Sequence, residues 1–348
     1  MTTEPFSVYV HVPFCARKCP YCDFNTYAVA RPPEDEYITA VLKELDSYRE
    51  DEHFIKRTVK SVFFGGGTPS LLSPTSISVI IDRISDLFGI VSNAEITLEA
   101  NPNDADTQKI EGFKSAGINR ISFGVQSFDN NKLVQLGRDH LAEDAVRAVE
   151  KSIDQGLDNI SVDIIFGVPD QTVADLESDL KVALSLPIKH ISTYSLTIEP
   201  GTPFYQRQER GLLKLPPDSR VAQMLDLIPQ VLEDSGFKRY EISNYSKPGY
   251  ESVHNLVYWS GGDYLGVGAG AHSYHGKYIS ALSTATRWSN LALPAHYIEK
   301  IRNYESVVAW REKLEQRDLI FEFFYLGMRR VSGVRRSDFF KRFGVVIP

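Results

Sequence analysis

The run Cys15-Ala16-Arg17-Lys18-Cys19-Pro20-Tyr21-Cys22 spaces three thiols as C-x3-C-x2-C, and these are the only cysteines in the 348-residue chain. A disulfide framework wants an even count and wide spacing, so the clustering favours a metal centre. Thiolates are the usual ligands of iron–sulfur clusters, and short spacings let one loop wrap one cluster. A [4Fe–4S] cube ligated by three thiols keeps one iron for an exogenous ligand, as in catalytic metal sites that hold a position open. The alternative is a structural zinc site, which prefers four protein ligands and takes His11 as the nearby fourth.

Outward from this loop the chain alternates β-rich runs with helical patterns. Strands are predicted at Ser7–Val12, Val59–Phe64, Glu95–Ala100, Arg120–Val125, Asn159–Phe166 and His190–Thr197. Several read as apolar nearly throughout, as expected of parallel strands covered on both faces. Helices are predicted at Glu34–Tyr48, Pro74–Leu87, Thr107–Ser115, Ala142–Gln155, Val173–Leu184 and Asp218–Asp234, with Gly117, Gly156 and Gly236 as stop signals behind three of them. Six βα units point to an α/β fold built on a parallel sheet. A doubly wound open sheet and a full or partial barrel both satisfy the pattern, and both gather chemistry at the C-terminal ends of the strands. The cysteines follow the first predicted strand and the block Gly65-Gly66-Gly67-Thr68-Pro69 follows the second. Glu99 ends the third, Gln126 the fourth and Thr197 the sixth, and Asp163 lies within the fifth.

The texture changes near residue 236. Tyr240 to Tyr278 is dense in Tyr, Gly, Ser, Asn and His, and helical patterns follow near Pro294–Tyr304 and Ala309–Arg329. The expected organisation is a barrel-type domain over residues 1–235 and a smaller, mixed and mainly helical domain over 236–348. A helix–turn pattern is still running at Pro348, as expected of a chain lacking its final element. Hydrophobic residues make up 43% and charged residues 24%, with a net charge of −7. An acidic balance without basic runs argues against nucleic acid as a partner. The start lacks a basic region followed by an apolar one, and no apolar run approaches the ~18 residues of a membrane span, so the expected location is the cytoplasm.

C-x3-C-x2-C after the first strand is similar to the signature of the radical S-adenosylmethionine (SAM) superfamily. Tyr9-Val10-His11-Val12-Pro13-Phe14-Cys15, Gly65–Ser70, Leu98–Pro102, Gly124–Phe128 and Asp163–Gly167 resemble blocks of the oxygen-independent coproporphyrinogen III oxidase (HemN) family. The resemblance covers essentially the whole chain and implies a partial (β/α)6 radical SAM barrel. It departs from the oxidases at Phe24, where they carry one more cysteine. His254-Asn255-Leu256-Val257-Tyr258-Trp259 resembles the H-N-x-x-Y-W motif of the haem chaperone (HemW) branch.

That resemblance implies a [4Fe–4S] cluster on Cys15, Cys19 and Cys22, with SAM chelating the open iron through its amino and carboxylate groups. An electron into the sulfonium would then give a 5′-deoxyadenosyl radical. It also implies SAM contacts from Tyr9, Tyr21, Gly66, Gly67, Thr68, Glu99, Gln126, Arg138, Asp163 and Thr197. Arg138 is the natural partner for a carboxylate, because its guanidinium binds in a fork. Each of these residues also has a plainer reading: a tight βα turn for the glycines, packing for the tyrosines, a salt-bridge network at the barrel rim for the charged groups.

His254 is the candidate axial ligand to haem iron, with Tyr258 and Trp259 offering flat faces to a porphyrin. His272 and His275 are rival or second ligands, and a buried structural histidine is the plainer reading of His254. No C-x-x-C-H attachment site is present. The implied partners are haem and haem-accepting proteins, membrane-bound respiratory enzymes among them, with a homodimer as the implied assembly. Anaerobic coproporphyrinogen oxidation is the competing activity.

Overall fold

Residues 4–278 and 283–347 are described in a computed structural model of the chain. The first part runs β1 (Phe6–Val12), β2 (Phe14–Cys15), β3 (Tyr27–Ala28), α1 (Glu34–Ser47), β4 (Val59–Gly66), α2 (Pro74–Phe88), β5 (Ile90–Ala100) and α3 (Thr107–Ser115). It continues with β6 (Arg120–Gln126), α4 (Asn130–Gln135), α5 (Ala142–Asp154), β7 (Ile160–Phe166), α6 (Val173–Ser185), β8 (His190–Ser195), α7 (Pro203–Glu209) and α8 (Asp218–Asp234). The rest is β9 (Lys238–Arg239), β10 (Asn244–Ser246), α9 (Val253–Trp259), β11 (Tyr264–Val267), β12 (His272–Lys277), β13 (Thr284–Asn290), α10 (Pro294–Arg302), β14 (Val308–Leu314), α11 (Gln316–Gly327) and α12 (Arg336–Phe343).

The helices form for local reasons. In α2, the Ser73 side chain accepts the Ser76 N–H at 3.2 Å and Pro74 opens the first turn. Ile77, Ile80, Ile81, Ile84 and Phe88 then recur at helical spacing and are all buried. Burying each such side chain contributes roughly 1.5–3 kcal/mol.

Strand order settles the architecture that periodicity left open. β1, β4, β5, β6, β7 and β8 are neighbours in chain order and pair in parallel. A doubly wound sheet reverses its order at a switch point; this sheet does not, so it is singly wound, as in a barrel. It stays open. β10 and β9 extend it antiparallel beyond β8, while β11 pairs parallel to β1 and carries β12, β13 and β14. Residues after 236 therefore lengthen the same sheet at both edges. They also form a small cluster of their own from Tyr274, Ala285, Leu314, Leu319, Phe323, Phe339 and Phe343.

Two local expectations change. The helical pattern expected from Ala309 begins later: residues 308–314 form strand β14 on the edge of β13, and helix α11 starts only where the Asp318 carboxylate accepts the Glu315 N–H at 3.0 Å. The sixth barrel strand ends at Ser195, leaving Thr197 exposed beyond it.

The parallel strands also differ from the apolar-throughout reading, because they alternate. Val8, Val10, Val62, Phe64, Ile96, Leu98, Ile121, Phe123, Val162 and Ile164 pack into the core under the helices. The register places Ser7, Tyr9 and His11 beside Ser61, Phe63 and Gly65 on the opposite face, and Glu99 beside Ser122. The two-residue side-chain period thus gathers these polar groups on one inner face.

Candidate functional site

The cysteine loop is closed at its base by the parallel pairing of β2 with β3, Phe14 opposite Tyr27 and Cys15 opposite Ala28. Within it, the Cys22 N–H donates to Cys19 O at 3.1 Å, and Lys18 Nζ donates to the carbonyls of Phe24 (3.3 Å) and Thr26 (3.2 Å). Each sulfur has a polar neighbour. Thr68 Oγ1 donates to Cys15 Sγ at 3.4 Å, Arg138 Nη1 to Cys19 Sγ at 3.5 Å, and Thr26 Oγ1 lies 3.9 Å from Cys22 Sγ. All three thiols are free and partly exposed. Burial pushes the Cys15 and Cys22 thiols above their ordinary pKa, so metal ligation must displace protons from them.

His11 is not positioned as a fourth ligand. Its Nε2–H donates to Asn25 O at 2.9 Å, which leaves Nδ1 to accept from the Tyr9 hydroxyl at 3.0 Å. Among the described residues, no three His, Cys, Asp or Glu side chains converge as they would on a single ion. With both ring nitrogens of His11 engaged by protein hydrogen bonds, the zinc reading loses the fourth ligand it named.

The far side of the loop rests on the segment after α4 and on the start of α7. The Phe204 N–H donates to Pro20 O at 2.9 Å, and Gly137, at φ +70°, faces Pro20 so closely that a Cβ would lie 2.6 Å from Pro20 Cδ. Gly137→Ala is expected to destabilise the ligand-free protein by about 1–2 kcal/mol, because an L side chain is disfavoured at this φ and meets the proline. A denaturant titration measures it; an unchanged midpoint would show that the contact is slack.

The glycine block crosses the inner face beside the loop. The Gly66 N–H donates to Glu99 Oε2 at 3.1 Å, Gly67 N–H to Val12 O at 2.8 Å and Thr68 N–H to Phe14 O at 2.8 Å. At Gly66 (φ +111°) a Cβ would fall 2.3 Å from His11 Cε1, so glycine is required there. The Glu99 carboxyl is pushed up to about 7 by burial, with the charge of Asp163 adding to it. Burial likewise raises Asp163, whose carboxylate accepts from Ser122 Oγ at 3.2 and 3.3 Å. Among the described residues no cation is bonded to either carboxylate, and two such groups enclosed side by side make a site for a cationic ligand.

Gln126 ends β6 at φ +68°, and its Nε2 lies 3.0 Å from where a Cβ on Gly124 would stand. Arg138 donates to Gly124 O at 2.8 Å and to Asn101 Oδ1, while its buried Nε has no hydrogen-bond partner among the described residues. Tyr21 packs on Phe204 at 6.2 Å, and burial, with Cys19 nearby, raises its pKa. The structure thus brings Tyr9, Tyr21, Gly66, Gly67, Thr68, Glu99, Gln126, Arg138 and Asp163 to the end of the sheet that carries the cysteine loop; Thr197 stands outside at the rim. Sequence reading passed over Ser122, Asn101 and Thr26. The alternation of each strand was the signal for Ser122; Asn101 and Thr26 are in loops and had none.

The histidines divide clearly. His254 is 1% exposed and stacked on Phe63 at 5.0 Å. Ser61 Oγ donates to Ser7 Oγ, so it accepts from His254 Nδ1–H at 3.0 Å; Nε2 then accepts from the Tyr258 hydroxyl at 3.0 Å. Burial lowers its pKa to about 3, so the ring is neutral. In this arrangement neither nitrogen is open to iron. The motif is tied to the sheet, with the start of α9 donating three hydrogen bonds to the Glu95 carboxylate. His275 is buried and stacks on His53 at 3.5 Å. His272 is exposed at the start of β12. Phe24, in the cysteine loop, is 65% exposed.

The radical SAM superfamily model matches residues 9–183. The heme chaperone HemW of Bacillus subtilis is 38% identical over 97% of this chain and 87% of its own length. The heme chaperone HemW of Haemophilus influenzae is 40% identical over 96% and 85%. The solved structure of coproporphyrinogen III oxidase (HemN) from Escherichia coli superposes with a TM-score of 0.75 at 22% identity, over 97% of this chain and 74% of that one, and shares the fold. The cysteine loop, the singly wound sheet and these likenesses agree, and the chain belongs to the radical SAM superfamily and, within it, to the HemW family.

Proposed function

We propose that this chain binds haem and delivers it to haem-requiring proteins, membrane-bound respiratory enzymes among them, and that the cluster and SAM govern the transfer. The observation that carries this reading is the likeness, over nearly the whole chain, to proteins named heme chaperone HemW. Phe24, standing where the oxidases of the resemblance have their extra cysteine, supports it. Among the described residues no helix is long and apolar enough to cross a membrane, so contact with a membrane-bound acceptor falls to the surface of the fold.

The residues fit the cofactors that the superfamily implies. Cys15, Cys19 and Cys22 would hold the cluster. Bound there, a cubane with one iron free of thiolate offers a chelation point for the amino and carboxylate groups of SAM and an electron for its sulfonium. Thr68 and Arg138 direct donors at two of the sulfurs, which steadies thiolate character. Glu99 and Asp163 supply negative charge for the ammonium and sulfonium. The N–H groups of Gly66, Gly67 and Thr68 are already donated within the protein, so this block meets an ammonium through carbonyl oxygen. Arg138 faces a carboxylate with its unpartnered Nε, Tyr9 and Tyr21 close the sides, and Gln126 and Thr197 complete the rim.

Titrating haem into reconstituted, anaerobic protein is expected to give saturable binding. Incubation with reductant, SAM and coproporphyrinogen is expected to give no protoporphyrinogen. Protoporphyrinogen formed at catalytic turnover, or an absence of haem binding, would overturn the proposal.

A further inference from the structure

Resting on the haem reading above, we infer that the iron of bound haem is taken by His272, on the inner face of the sheet, and that His254, whose two ring nitrogens are hydrogen-bonded to Ser61 and Tyr258, belongs to the framework and not to the haem site. The eight histidines sort by what their rings already do. His11, His140, His190 and His254 all make ring-nitrogen hydrogen bonds within the protein. His53 and His275 are stacked face to face. His296 lies exposed on α10, away from the inner face. Among the described residues, His272 alone combines an open imidazole with a place on the inner face.

Register fixes that place. Ser7 pairs with Tyr264 and Tyr264 with Tyr274, so Tyr274 shares the face of Ser7, Tyr9 and His11; His272, two residues away, shares it as well. A Cβ on Gly266 would fall 2.0 Å from His272 O, and Gly266 pairs with Tyr9, so His272 stands at the level of Tyr9 along the sheet. Below it, α11 covers the face: Arg287, opposite Tyr274, is bonded to Glu322 of that helix at 2.9 Å. Above α11 one row stays open. His272 pairs with Ser289 and Ser289 with Trp310, so the three stand side by side across β12, β13 and β14.

Trp310 is 45% exposed and two strand spacings from His272, roughly 10 Å. An open imidazole, a small residue and an exposed indole in one row suit a flat aromatic macrocycle: His272 would supply the iron ligand and Trp310 an apolar face. Burial and the Arg287 cation lower the pKa of His272 from its ordinary value, which favours the neutral ligating form.

The test compares wild type, His272→Ala, His272→Cys and His254→Gln, each reconstituted anaerobically, by haemin titration and by EPR of the ferric haem, with thermal melts to verify folding. His272→Ala is expected to weaken haem binding by at least roughly tenfold, the size that loss of even an outer partner of a metal ligand produces, and to abolish the imidazole-ligated signal. His272→Cys is expected to convert that signal to a thiolate-ligated one, and His254→Gln to keep the wild-type signal. Unchanged affinity and signal in His272→Ala, with wild type binding haem, would overturn this assignment and leave the chaperone reading standing. A wild-type protein that takes no haem would overturn both.

Discussion

Cys19→Ala is expected to strip the loop of its cluster, with iron after anaerobic reconstitution falling from about four per chain to near zero. A cubane held by three thiolates has one open corner; removing Cys19 opens a second, and no substitute is at hand. Among the described residues no other cysteine exists, and both nitrogens of His11 are engaged. The Arg138 guanidinium that faces Cys19 Sγ would be left over the gap, and a cation cannot ligate iron. Cys15→Ala and Cys22→Ala are expected to behave alike, since Thr68 and Thr26 offer only hydroxyls.

The loop itself should survive, because its fold rests on the β2–β3 pairing, on Pro20 against Gly137 and on the Phe204 N–H. Iron analysis, Mössbauer spectra and a thermal melt of the metal-free variant separate the two effects. A Cys19→Ala protein that retains a full cubane would exclude these thiols as its ligands.

The frame of the molecule was legible in the sequence because it depends on short-range signals. The predicted strands and helices of the first two-thirds coincide with β1, β4–β8 and the longer intervening helices to within a few residues, since apolar runs and glycine stops are local; β5 starts earlier, at Ile90, and the short helices α4 and α7 were not expected. Periodicity cannot order strands, so singly and doubly wound sheets both stayed open; the unbroken parallel run β1-β4-β5-β6-β7-β8 decides between them. β14 read as helix because Val308–Leu314 lies on an edge with few buried positions, and only its partner β13 makes it a strand.

The candidate site divides in the same way. The cysteine spacing is a local pattern and announced itself. For His254 the local motif with Tyr258 and Trp259 was legible, whereas its hydrogen bond to Ser61, 193 residues away in sequence, was not. The polar inner face was written in the strands as Ser7-x-Tyr9-x-His11 and Glu95-x-Thr97-x-Glu99. It was hidden by reading those strands as buried on both sides, a reading that fails wherever the interior of a sheet is a binding cavity.

That cavity carries the second large effect. Glu99→Gln is expected to weaken SAM binding at pH 8 by roughly 30- to 150-fold, about 2–3 kcal/mol, the size of one hydrogen bond to a charged group. In wild type the ligand-free carboxyl titrates at about 7. Below that pH a cationic ligand must expel the proton, so affinity should rise as pH goes up to 7 and level off above it; the variant should lack this slope.

Stability of the ligand-free protein should move the other way. The folded value lies above the unfolded one of ~4.3. The native state therefore holds more protons than the unfolded state between about 4.3 and 7, and this site's contribution to stability is lost as pH rises through that window. Glutamine removes the loss, so the variant without ligand should melt higher than wild type at pH 8 while binding SAM more weakly. Opposite signs from one substitution separate a carboxylate kept for its ligand from one kept for the fold. A Glu99→Gln protein that is both less stable and unimpaired in SAM binding would place Glu99 in the framework instead.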